Sequence, residues 1–114
     1  MLPTELEMKI KKTYSGEMAA IFDARERDLI RDEMKKLIGD ELDCAPGMIG
    51  NDTDFSDLGM DSVSFLQVVD ELKRSIGLPI PTGQLMSFSA NTRATNVNAM
   101  VELVIAFLSK QGNA

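Results

Sequence analysis

The chain has 114 residues, 44% of them hydrophobic but only 5% aromatic, which suits one domain around a modest core of Leu, Ile, Val and Met. Eighteen acids against twelve bases give a formal charge of −6, arguing against nucleic acid as a partner and favouring basic proteins met through electrostatic steering. The chain has no histidine and one cysteine, Cys44. This excludes a Cys–His nucleophile, a Cys/His zinc cluster and an internal disulfide, and it fits a reducing, cytoplasmic setting. No apolar run approaches the roughly 20 residues of a membrane span, and the N-terminus lacks a secretory h-region.

Residues 1–23 form an extension ahead of the main domain. Thr4-Glu5-Leu6-Glu7 has the form of a capping box, and Leu2, Leu6, Ile10, Tyr14, Met18 and Ile21 recur at helical spacing. The pattern predicts a short amphipathic helix near 4–14, interrupted by Gly16. Its stripe either docks on its own domain, binds a partner, or stays partly disordered. Asp23 is the expected cap of a second helix over 24–42, with Leu29, Ile30, Met34, Leu37, Ile38 and Leu42 on one face and Gly39 as a weak point. Residues 43–59 read as a long loop anchored by Met48, Ile49, Phe55 and Leu58.

A third helix starts at Asp61 or Ser62 and runs to Ile76, burying Val63, Leu66, Val69, Leu72 and Ile76, with Phe65 and Val68 widening the face; Gly77 stops it. Leu78-Pro79-Ile80-Pro81 is extended, and Leu85, Met86 and Phe88 suggest one or two further helical turns. The last helix begins near Thr95 or Asn96 and buries Val97, Met100, Val101, Val104, Phe107 and Leu108. It ends near Gly112, with residues 111–114 expected as a disordered tail. No strand signal competes, so the fold class is all-α, a bundle of three main helices and one short one.

The stretch Asp52-Thr53-Asp54-Phe55-Ser56-Asp57-Leu58-Gly59-Met60-Asp61-Ser62-Val63 resembles the attachment motif of the acyl carrier protein family, D-x-x-F-x-x-L-G-x-D-S followed by L or V. Gly77-Leu78-Pro79-Ile80-Pro81, Leu85-Met86-Ser87-Phe88 and Thr95-Asn96-Val97 are similar to the family's later segments. The resemblance covers residues 24–110 and implies a carrier, not an enzyme, with an acyl-carrier-like four-helix bundle. It implies a 4′-phosphopantetheine arm on Ser62, placed there by a phosphopantetheinyl transferase with magnesium, and Asp61 orienting that encounter. Acyl-loading enzymes, a ketosynthase or other biosynthetic enzymes would then dock on the third helix and the loop before it, at Asp57, Met60, Val63 and Gln67, on a monomeric carrier.

Carriers of primary fatty-acid synthesis are strongly acidic along this helix. Here Ser64, Gln67, Lys73 and Arg74 dilute the stripe, so the resemblance is closer to carriers of polyketide and related secondary-metabolite pathways, antibiotic biosynthesis among them. Peptidyl carriers more often show G-G or G-H before the serine, where this chain has Asp61. A fatty-acid or peptidyl carrier remains the neighbouring alternative, and from another class a small helical interaction module in which Ser62 only caps its helix. Asp52, Asp54 and Asp57 read as a solvated acidic loop, since they lack the EF-hand order, and Cys44 as a small loop or core residue. Ser62 has neither a base nor a G-x-S-x-G elbow to serve as a hydrolase nucleophile.

Overall fold

The computed structural model describes residues 2–19, 21–75 and 95–112. Within them the chain is helical: α1 spans Thr4–Tyr14, α2 Ala24–Leu42, α3 Ser62–Ser75 and α4 Val97–Gly112, with 3-10 turns at Pro46–Met48 and Phe55–Leu58. No strand occurs among the described residues, and the architecture is an acyl-carrier-like helical bundle. The Gly77–Pro81 segment and the short helix expected around Leu85–Phe88 lie outside the described residues. Residues 111 and 112 belong to α4 rather than to a tail; residues 113–114 also lie outside.

The capping box expected at Thr4 does not form. Pro3, extended and without an N–H to continue the helix, takes the cap position, and its carbonyl accepts from the Glu7 amide at 3.0 Å. The reciprocal box forms instead at α2. Asp23 Oδ1 accepts from the Glu26 amide at 2.8 Å, and Glu26 Oε1 accepts from the Asp23 amide at 3.0 Å, satisfying two groups that a helix start otherwise leaves open.

α1 packs on α4, and α2 packs on both α3 and α4. Leu2, Leu6 and Ile10 are buried in the same core as Ile30, Met34, Ile38, Val69, Leu72, Val101 and Leu108, and the Tyr14 ring stacks on Phe107 with centroids 6.5 Å apart. Of the three fates open to the N-terminal stripe, docking on its own domain is the one adopted. The stripe also ends early. Gly16, at φ +86°, turns the chain after α1, and Met18 and Ile21 remain exposed while Phe22 is buried in their place. α4 buries its predicted face and also Leu103 and Ile105, and both α1 and α2 pack on it.

Candidate functional site

The loop from residue 43 to residue 61 carries the serine motif, and its course is set at both ends. Gly39 does not end α2. A Cβ there would lie 2.6 Å from the Cys44 carbonyl oxygen, so glycine lets the chain fold back against the helix it has just left. The Cys44 amide donates to the Gly39 carbonyl at 2.9 Å. Ile49 and Phe55 are buried anchors and Leu58 is partly buried, but Met48 is 74% exposed and anchors nothing.

The loop is fastened to the start of α4. The Phe55 amide donates to the Thr95 carbonyl at 2.8 Å, and the Asn98 amide donates to the Asn51 carbonyl at 3.1 Å. Asn98 Nδ2 donates to Asp52 Oδ1 at 2.8 Å, while Asn98 Oδ1 accepts from Arg31 Nε at 2.9 Å. Asn96 caps α4 through the Ala99 amide at 2.8 Å. Sequence reading finds the Asn96 cap, but Arg31 and Asn98 escape it, because bonds between distant segments leave no periodic trace.

The turn into α3 follows. Asp54 caps the 3-10 turn, accepting from the Ser56 amide at 2.9 Å and the Ser56 hydroxyl at 2.7 Å; these bonds, the hydroxyl's first, hold its carboxyl below the ordinary aspartate range. Gly59 closes the turn at φ +81°, a conformation that favours glycine. Asp61 then caps α3. Its carbonyl accepts the first helical bond, from Phe65, at 2.9 Å, and its Oδ1 accepts from the Ser64 amide at 2.8 Å. The Ser64 amide, then the Ser64 hydroxyl, hold the Asp61 carboxyl below its ordinary range. Ser62 therefore occupies the first helical position and is not the cap, and the reading of Ser62 as a plain cap loses its basis.

The buried face of α3 is rotated from the predicted one. Val68, Val69 and Leu72 are buried and Phe65 is half-buried, its ring 6.2 Å from that of Phe55. Val63 and Leu66 point outward, 62% and 44% exposed. Asp57, Asp61 and Gln67 are exposed as well, whereas Met60 packs partly against the core. Ile76 lies outside the described residues. Farther along α3 the acids are paired on their own helix: Asp70 with Lys73 at 3.6 Å and Arg74 at 2.9 Å, and Glu71 with Arg74 at 3.1 Å.

This arrangement offers an alcohol-bearing residue at the amino end of a 14-residue helix, with exposed neighbours on both sides and the capping duty assigned elsewhere. Helix amino ends favour phosphate, so the residues present suit a phosphodiester carrying a long arm into solvent. Among the described residues, no group of three or more acidic or sulfur side chains is placed to hold a metal ion, and no helix is long and apolar enough to cross a membrane. The family model described as phosphopantetheine attachment site matches residues 32–104, from within α2 to within α4. No curated protein and no solved structure matches the chain. With the greater part of its length under that match, the chain belongs to the phosphopantetheine attachment site family, defined by a covalently attached 4′-phosphopantetheine.

Proposed function

We propose that the chain is an acyl carrier protein with its arm on Ser62, serving polyketide or related secondary-metabolite biosynthesis. The observation that carries the site is the position of Ser62: first residue of α3, inside the family match, beside a cap supplied by Asp61. In loading, the Ser62 oxygen forms a bond to the phosphorus of coenzyme A that bears the pantetheine. The pyrophosphate link breaks, 3′,5′-adenosine bisphosphate leaves, and the hydroxyl proton passes to a base of the transferase. Once attached, the arm supplies a thiol that holds acyl groups as thioesters. The chain's own residues present and orient. Asp61 fixes the helix start and offers a negative edge to the transferase, while Val63, Gln67 and Asp57 offer an exposed surface beside the serine. Met60, half-buried, contributes only its outer edge.

The pathway reading is supported by charge. Asp70 and Glu71 are paired with Lys73 and Arg74, so α3 presents mixed charge rather than an acidic stripe. In this reading the carrier domain spans 24–110 with residues 1–23 as an extension, and it acts as a monomer in the cytoplasm without catalysing a reaction.

Intact mass spectrometry tests the site. Incubated with coenzyme A, magnesium and a broad-specificity transferase, the native chain gains one phosphopantetheine and Ser62→Ala gains none. Equal gain in both, or none in the folded native chain, would remove Ser62 from this role. Offering the loaded carrier to condensing enzymes of a polyketide synthase and of a fatty-acid synthase tests the branch; acylation through the second alone would overturn it.

A further inference from the structure

We infer that Asn98, more than 30 residues from the serine in sequence, is a positioning residue for the loading of Ser62, an inference that rests on the attachment reading above. Asn98 turns both ends of its side-chain amide and its backbone N–H to two other segments. Its Oδ1 accepts from Arg31 Nε of α2 at 2.9 Å, its Nδ2 donates to Asp52 Oδ1 of the loop at 2.8 Å, and its amide donates to the Asn51 carbonyl at 3.1 Å. The amide is one of the open donors at the start of α4, so the loop's carbonyl serves as part of that helix's cap.

From this clamp the geometry runs directly to the serine. Three residues on, Phe55 is buried, donates to Thr95 at 2.8 Å and sets its ring against Phe65 of α3. The Phe55 carbonyl accepts from the Met60 amide at 3.1 Å, and Asp61 and Ser62 follow. The approach to Ser62 is thus held from outside α3, by α4 and α2 together. When Asn98 and Asp52 part, the loop samples other courses and a smaller fraction of molecules presents the turn a transferase recognises. Apparent affinity falls by that fraction, while the chemical step, carried out on the transferase, keeps its rate.

The test is steady-state loading of the intact chain with coenzyme A, magnesium and a phosphopantetheinyl transferase, read as KM and kcat for the carrier. Asn98→Asp keeps the acceptor for Arg31 but turns a carboxylate toward Asp52. Its KM rises about threefold to tenfold, the equivalent of one net hydrogen bond, with kcat unchanged. Asp52→Ala, on the exposed loop, moves KM the same way without touching α4. Asn98→Asp combined with Asp52→Asn re-forms the pair with donor and acceptor exchanged and returns KM toward the native value, a recovery that general destabilisation cannot produce. Native KM in both single variants, a loss confined to kcat, or no recovery in the pair would overturn the inference while leaving Ser62 as the attachment point. Failure of the native chain itself to load would overturn both.

Discussion

With the cap of α3 on Asp61 rather than Ser62, the two neighbours respond differently to truncation. Ser62→Ala changes stability by no more than about 0.5 kcal/mol while abolishing loading. Asp61→Ala removes the acceptor for the Ser64 amide and lowers Tm by several degrees, as lost caps do. Thermal melts of the two variants side by side check this, and a larger loss in Ser62→Ala would return the cap to the serine. The Asp61 carboxyl is held low by the Ser64 amide and hydroxyl, so the sign of its pH dependence follows. Its contribution is complete above the ordinary aspartate range and is lost as pH falls through the lowered value. An acid titration followed at the Ser64 amide by NMR shows the first turn of α3 loosening at that lowered pH, and Asp61→Asn removes the transition.

At the scale of elements, the apolar hold on α1 comes from its inner face. Ile10→Ala, at a fully buried position, costs about 2–5 kcal/mol in urea unfolding. Met8→Ala, on the outer face and 51% exposed, costs no more than about 0.5 kcal/mol. Similar losses at both sites would mean that α1 is not docked in solution. Much of this layer was legible. The bounds of α1, the Asp23 cap, the buried face of α4 and the Asn96 cap all follow from periodicity and local hydrogen-bonding chemistry, which act within a few residues. The face of α3 did not follow, because Val63 and Leu66 keep helical spacing with Val69 and yet stay exposed. Spacing shows which residues share a side, not which side will be covered. The stripe through Met18 and Ile21 misled for a related reason: Gly16 breaks the helix, and beyond it the period has no meaning. At the site, the D-S-V motif was legible as a resemblance, whereas the Arg31–Asn98–Asp52 clamp joins segments far apart in sequence and needed the fold.

For the whole molecule, the net charge of −6 and the exposed Asp57 and Asp61 beside the serine predict that loading weakens with salt. Raising ionic strength from about 0.01 M to about 0.15 M shortens the screening length several-fold, so the transferase's KM for the carrier rises while kcat stays level. A KM indifferent to salt would mean that docking is apolar, centred on Val63 and Leu66. A separate consequence comes from Lys9. Its Nζ lies 2.8 Å from Glu26 Oε1 and 4.8 Å from the centre of the Phe22 ring, and that same Glu26 oxygen closes the capping box of α2. One carboxylate oxygen thus serves both the docking of α1 and the first turn of α2, so the two cannot come undone independently. In native-state hydrogen exchange, the amides of α1 and those opening α2 should protect and release as one cooperative unit. Replacing Lys9 with methionine should speed exchange in both places at once. An N-terminal segment that lies outside the family match would then unfold in step with a helix that lies mostly within it.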